Sequence, residues 1–450
     1  MIAPRRRSDF AASTHGGSGS RPPVRSPVRL GNVTHLLLGR VPGQLVIQYT
    51  DRCNARCPQC SMRVTEKRAR TKLSVRDARR VIDHAAASGF KALSLTGGEP
   101  LIYLDEICEL LDHAGRRGMN LTRTGTNGFL FANPDRDNWR RRVDKAVQSL
   151  AATPLRNLWI SLDSADAERH ERLRGLPGVI RGIERALPLM HAAGLYPAAN
   201  LGINRYMGRQ WLAPLFSHSF SRRFARQRFR RCAERSFAEF FGRAVELGFT
   251  AVNVCYPMSF ADGSLRRREA AYAAGSAAEM VRFSPAEKAL LYDALADVIR
   301  TFRSRIRVFT PISSLRALSD QHRTGRPSRI PCRGGTDFFF VDCRGAEAYP
   351  CGYRASDRLG RFWEVDFSRP PLPADCTACD WECFRDPSEL LAPFLGLLES
   401  PLRLLARCLS RAAHAREWRQ DLRYFRSCDY FDGRRPADLR RLASFTASPR

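Results

Sequence analysis

A chain of 450 residues, 44% of them hydrophobic, exceeds one average domain and suits a barrel-sized core with appendages. Its 74 Lys and Arg against 45 Asp and Glu leave a formal net charge of +29, which ordinarily points to a polyanionic partner. Lysine, however, is confined to Lys67, Lys72, Lys91, Lys145 and Lys288, so the excess is arginine, as GC-rich coding produces. Basic and aromatic residues do not alternate as in an RNA-binding module, which argues against nucleic acid as partner. No apolar run reaches the roughly 18 residues of a membrane span. The 14 cysteines, with a charged MIAPRRRSDF start and no export signal, are expected to bind metal or stay free in a reducing cytoplasm.

In chain order, residues 1–40 are rich in Arg, Ser, Gly and Pro and read as a disordered basic lead-in. From Gln44 strands and helices alternate. Strands are expected over residues 44–50, 91–96, 120–126, 157–162, 196–203 and 250–255. Helices are expected over 75–88, with Ser74 as N-cap, and over 104–117, 135–151, 179–193 and 233–247. A basic insertion, 205–231, carries Arg222, Arg223, Arg226, Arg228, Arg230 and Arg231 among phenylalanines; it suits a lid, a docking helix for an acidic partner or a solvated helix. Periodicity by itself gives a parallel α/β fold with crossover helices.

Where the first strand ends stand Cys53, Cys57 and Cys60, in YTDRCNARCPQCSM. Three thiolates can hold a four-iron cluster and leave one iron for a ligand that is not protein. A structural zinc site wants four closed ligands, and the next candidates, His84 and Cys108, are distant in sequence. A disulfide with a spare thiol is the remaining alternative. The second expected strand runs into Leu95, Thr96, Gly97, Gly98, Glu99 and Pro100, the turn LTGGEP.

The two motifs in this order resemble the radical S-adenosylmethionine (SAM) superfamily, whose signature is CxxxCx(aromatic)C; Gln59 replaces the aromatic here. The resemblance covers roughly residues 43 to 385. It implies a partial (β/α)6 TIM-type barrel, spanning 41–310, with a [4Fe-4S] cluster that binds SAM at its open iron. Reductive cleavage of SAM then gives a 5′-deoxyadenosyl radical that abstracts hydrogen, fed by a reductant such as flavodoxin or ferredoxin. Barrel chemistry sits where strands end, and the resemblance assigns roles there. Gly97 and Gly98 admit the methionine part of SAM, Glu99 accepts from its ammonium, and Pro100 completes this SAM-binding turn; the alternative for GGEP is an ordinary Gly-Gly turn with Pro100 starting a helix. Thr126 and Asn127 face SAM or substrate, Ser161 and Asp163 meet the ribose hydroxyls, and Arg174 belongs to a loop that clamps the SAM carboxylate. His170 in that loop reads as a solvated helix residue, while Asn200, Asn204 and Tyr256 are candidate pocket liners.

Further on, Cys332, Cys343, Cys351, Cys376, Cys379 and Cys383 resemble a small SPASM or twitch-type auxiliary-cluster domain, 311–387, opened by a hairpin around FFFV. Cys332, Cys351, Cys376 and Cys379 would close a second [4Fe-4S] site, with Cys383 as an alternative to one of the last two. A zinc ribbon competes. Cys343, Cys108, Cys232 and Cys255 read as structural. The extension 388–450 is helical in pattern, and LLAPFLGLLESPLRLLARCL either packs on the barrel or lies on an anionic membrane surface.

The expected function is a radical SAM enzyme with one auxiliary cluster, acting on a peptide or protein side chain. A small metabolite or lipid is the alternative substrate. A reading of another class is a non-catalytic iron-sulfur or zinc protein that binds nucleic acid.

Overall fold

The computed structural model describes residues 40–60, 69–215, 222–257, 279–326, 330–369, 371–373, 376–377, 380–399 and 412–446. The lead-in expected over residues 1–40 lies outside them except for Arg40. That guanidinium donates to the Thr336 carbonyl at 2.8 Å and pairs with Asp337.

Nine strands form one open sheet. In chain order they are β1 (Gly43–Thr50), β2 (Phe90–Gly97), β3 (Leu121–Thr126), β4 (Asn157–Ser161), β5 (Ala198–Gly202), β6 (Ala251–Cys255), β7 (Arg307–Val308), β8 (Phe338–Val341) and β9 (Ala348–Tyr349). Their spatial order is β7-β6-β5-β4-β3-β2-β1-β8-β9. All neighbours are parallel except the β8–β9 hairpin. This is the partial barrel expected, lengthened at both ends.

Strand alternation separates two faces. Leu45, Ile47, Leu93, Leu95, Ile160, Leu201 and Val254 are buried to 0% exposure against the surrounding helices. Each such side chain contributes on the order of 1.5–3 kcal/mol. The inner face carries polar side chains among apolar ones. Val46, Ser94, Arg123 and Asn157 stand in one register row, and Ser161, Asn200 and Asn253 in another. Barrels usually fill this space with bulky branched residues; here small and polar side chains leave it open.

The sequence places the early helices well. Ser74 accepts from the Asp77 N–H and starts Val75–Ala87, and Leu104–Arg116 and Val179–Ala192 follow closely. The helix expected to begin at 233 instead runs Arg222–Leu247. Buried Phe229, Ala233, Phe237, Phe240 and Ala244 continue one helical stripe back into the arginine run, so the expected insertion is helix from Arg222 onward. Its first residue is no surface group either. Arg205 is 2% exposed and bonds Glu287 at 2.9 Å. Residues 216–221 lie outside the described residues.

The cysteine-rich region joins the barrel directly, because β8 pairs with β1 in the register Leu45↔Phe339 and Val46↔Phe340. The described part of the C-terminal extension packs on the barrel. Asp421 accepts from the Ser313 N–H at 2.8 Å and Tyr196 N–H reaches the Gly433 carbonyl at 2.7 Å, while within the extension the Trp418 indole donates to the Leu390 carbonyl at 3.1 Å. Residues 400–411 of the apolar segment are outside the described residues. Among the described residues, no helix is long and apolar enough to cross a membrane.

Candidate functional site

The inner face encloses a cavity of about 310 Å³, and Cys53, Cys57 and Cys60 line it together with Gly97, Gly98 and Glu99. The two loops are laced by their backbones: Gly98 N–H donates to the Thr50 carbonyl at 2.7 Å and Glu99 N–H to the Arg52 carbonyl at 2.8 Å. The contact explains both glycines. A Cβ on Gly97 would stand 2.2 Å from the Thr50 oxygen, and one on Gly98 2.2 Å from the Arg52 oxygen. Their missing side chains face the cysteine loop itself, a reason the resemblance did not supply. Gly98→Ala is therefore expected to cost about 1–3 kcal/mol of stability and to displace the cysteine loop, read as a lower urea midpoint together with reduced iron content.

Glu99 is 1% exposed, and its carboxylate already accepts from two backbone donors, Leu101 N–H at 3.1 Å and Asn127 N–H at 2.6 Å. Burial lifts its carboxyl to about 7 against the pull of those bonds. It fastens the end of β3 to the GGEP turn. Asn127 in turn extends its amide to Asn54 Oδ1 at 2.8 Å and to Cys53 Sγ at 3.8 Å. Thr126 holds the turn that follows by accepting from Gly128 N–H at 3.1 Å.

Asp163 is the hub of the opposite wall. Arg174 grips it with two bonds, Nε to Oδ2 at 2.7 Å and a terminal nitrogen to Oδ1 at 2.9 Å, and Gln59 Nε2 donates to Oδ2 at 2.7 Å. Burial pushes the Asp163 carboxyl up, but Arg174 outweighs it and holds the group below the usual carboxylate range. Thus Gln59, the departure from the family signature, ties the cysteine loop to β4. Asp163 and Arg174, assigned by resemblance to the ribose and carboxylate of SAM, spend these bonds on each other.

His170 is 0% exposed, and its Nδ1 accepts from the Asp163 N–H at 3.0 Å, so it is a brace and not the solvated helix residue expected. Burial, with help from Arg174, lowers its pKa to about 4. An imidazole kept neutral in the fold and protonated when unfolded loses stability as pH falls through 6.5, and the loss levels off below 4. The window amounts to about 3 kcal/mol. Denaturant titrations of wild type and His170→Gln are expected to differ by that slope, the wild type losing more stability between pH 6.5 and 4.

The donor set suits a cluster with an open corner. Burial pushes the Cys57 thiol up to about 12, so the thiol is neutral there until something displaces its proton. Cys53, Cys57 and Cys60 line one cavity, although no group of three or more His, Cys, Asp or Glu among the described residues stands close enough to hold a metal as it is, and the neighbouring Glu99 and Asp163 are occupied.

The second cysteine group comes together in part. Cys332, Cys351 and Cys376 surround a small void, and Cys332 N–H donates to the Cys376 carbonyl at 2.7 Å. Cys379 lies outside the described residues. Arg385 is 2% exposed, its two terminal nitrogens have no hydrogen-bond partner among the described residues, and its charge acts on Cys332. A buried cation without a partner is costly, and an anionic metal–thiolate centre would answer it. Cys383 is elsewhere: with Cys255 and Glu382 it lines the large cavity. Its sulfur lies 3.7 Å from Glu382 Oε1, and Cys255 donates to Asn200 Oδ1 at 3.4 Å. Sequence reasoning missed this wall because it grouped cysteines by spacing. Asn200 lines the cavity as expected. Asn204 and Tyr256 face inward bonds: Asn204 Nδ2 donates to the Asp163 carbonyl at 2.8 Å and Tyr256 OH to Asp386 at 3.0 Å.

Residues 47–208 match the family model of the Radical SAM superfamily. Similar proteins include the AdoMet-dependent heme synthase of Methanosarcina barkeri, 29% identical over 153 residues that make up 33% of this chain and 40% of that protein. The PqqA peptide cyclase of Granulibacter bethesdensis is 30% identical over 165 residues, 36% of this chain and 40% of its own. A GTP 3′,8-cyclase of Synechococcus sp. is 30% identical over 198 residues, 40% of this chain and 53% of its own. The chain thus spans about half or less of the length of these curated relatives. Among solved structures, Streptococcus suis SuiB bound to S-adenosylmethionine is similar at 17% identity, with a TM-score of 0.43, over 69% of this chain and 60% of that one.

Proposed function

We propose that the protein is a radical SAM enzyme that modifies a peptide or protein side chain, carrying one substrate-side [4Fe-4S] cluster and one auxiliary centre. The reading is carried by one observation: Cys53, Cys57 and Cys60, the GGEP turn and the lumen of the sheet share a single cavity, most of whose lining residues fall in the matched superfamily segment. The peptide is suggested by the PqqA peptide cyclase relative. When bound, the cluster and SAM supply the radical chemistry.

The chain's own residues hold and orient. Cys53, Cys57 and Cys60 are the cluster ligands. Gly97, Gly98, Glu99, Pro100, Thr126, Asn127 and Ser161 line the cavity where SAM is to lie, while Asp163, Arg174 and Gln59 brace the cysteine loop against β4. Cys332, Cys351 and Cys376, with Cys379, are assigned to the auxiliary centre and Arg385 to its counter-charge. The lumen walled by Arg123, Trp159, Asn200 and Asn253 is left for the substrate, away from bulk water.

A small molecule is the second reading, favoured by the GTP 3′,8-cyclase relatives. Anaerobic reconstitution followed by dithionite and SAM tests the common core. Release of 5′-deoxyadenosine is expected, and intact SAM in iron-replete protein overturns the reading. Turnover with peptide pools or with nucleotides then separates the two substrates.

A further inference from the structure

The lumen holds one charged side chain that the fold leaves unmatched. Five cavity-lining residues carry acidic or basic side chains: Glu99, Arg123, Asp163, Arg174 and Glu382. Asp163 and Arg174 neutralise each other. Glu99 is engaged by backbone N–H groups. Glu382 accepts from the Tyr256 N–H at 3.3 Å and sits against the Cys383 thiol. Arg123 alone has no carboxylate within ion-pair distance among the described residues; its one bond runs from Nε to Ser94 Oγ, its neighbour in the β2–β3 register.

The bond to Ser94 matters for what the rest of the group can do. With Nε fixed, the guanidinium plane is oriented and its terminal N–H groups are left for the cavity, a pre-formed fork of the kind that matches a carboxylate. The surroundings favour an anion too. Asn200 Oδ1 already accepts from Asn253 Nδ2 at 2.6 Å and from Cys255 at 3.4 Å, so the Asn200 amide has only its NH2 to offer. Trp159, whose indole lies directly over Gly125, where an added Cβ would stand 1.8 Å from the ring nitrogen, adds an apolar wall. A cation in a confined, poorly hydrated chamber is stabilised when an anionic ligand enters it.

We infer that Arg123 is the anchor for a carboxylate of the substrate, so that the peptide taken into the lumen is an acidic one, presenting to it either a Glu or Asp side chain or its own C-terminal carboxylate. This rests on the proposed function for the word peptide, and on the cavity for the carboxylate.

The test uses the full chain, reconstituted anaerobically, and matched pools of short fluorescent peptides in four versions: central Glu or Gln, each with a free or an amidated C-terminus. Binding is measured by anisotropy with and without SAM, in high salt so that the surface arginines contribute little. Carboxylate-bearing pools are expected to bind wild type about tenfold or more tighter than the neutral pool. Arg123→Gln is expected to erase that preference. Arg123→Lys, which keeps the charge without the fork, is expected to retain part of it. Which pool is preferred tells side chain from terminus. Equal binding of all four pools to wild type, or an undiminished preference in Arg123→Gln, overturns the assignment. SAM affinity, measured by calorimetry on the same samples, is expected to be unchanged in Arg123→Gln; a parallel loss gives Arg123 to the SAM carboxylate and also overturns it. A wild type that binds no SAM yet keeps the acidic preference leaves the anchor standing and sinks the enzyme reading instead.

Discussion

Cys57→Ala is expected to lower the iron of anaerobically reconstituted protein by about four atoms per chain and to abolish 5′-deoxyadenosine release. Cys57 is the most enclosed of the three loop thiols, at 7% exposure, and Ala55 and Asn127 direct hydrogen bonds to Cys53 beside it. Two thiolates cannot hold the cube against a site built for three, so the loss is of the whole cluster. The triple variant Cys53→Ala, Cys57→Ala, Cys60→Ala separates the two metal sites. If Cys332, Cys351, Cys376 and Cys379 hold an iron-sulfur cluster, about four iron atoms per chain remain and the brown absorbance is about halved. If they hold zinc, iron disappears entirely and one zinc stays behind. Retention of all iron in the triple variant removes the amino-terminal loop from the account.

The parts of this molecule that sequence predicts well are those set by short-range pattern. Leu45, Ile47 and Tyr49 alternate with lumen-facing neighbours, Ser74 caps a helix three residues before Asp77, and Gly97 and Gly98 mark the turn that ends β2. The cysteine loop and GGEP are likewise local. What the sequence concealed is who meets whom across the barrel. Gln59 and Asp163 are 104 positions apart, and no spacing rule pairs them. A carboxylate at the end of β4 reads as a ligand for a cofactor until Arg174 is seen holding both its oxygens.

Cys383 shows the same limit from the other side. It follows Cys376 and Cys379 closely in sequence, yet a helix begins at Glu382, and the turn through Trp381 carries the chain from the small void of Cys332 and Cys351 to the large cavity. Ligand counting along a chain cannot detect such a change of side. β7 was hidden for a different reason: two residues long, it is too short for alternation to declare it, and only pairing to β6 makes it a strand, whereas the longer apolar run FFFV, expected in a hairpin, is β8 and pairs with β9 as one.

Asp163→Ala is expected to destabilise the fold by about 3–5 kcal/mol, the cost of leaving the Arg174 charge buried without its partner. The side chains are 2% and 13% exposed, so little water can take the place of the lost carboxylate. Arg174→Leu is expected to cost a comparable amount, because Asp163 then keeps only the Gln59 bond and the His170 neighbour. The double variant is expected to cost clearly less than the sum, since an apolar pair of similar volume removes both uncompensated charges together. Urea titrations of the four proteins measure this. The same cycle separates brace from cofactor ligand. A brace acts through the cysteine loop, so both single variants lower iron loading and SAM affinity together. A direct SAM ligand leaves iron at the wild-type level and lowers SAM affinity alone. With Gln59 drawing Asp163 toward Cys60, the coupled loss is the outcome the geometry demands, and Gln59→Leu, which cuts only that tether, is expected to reproduce it in milder form.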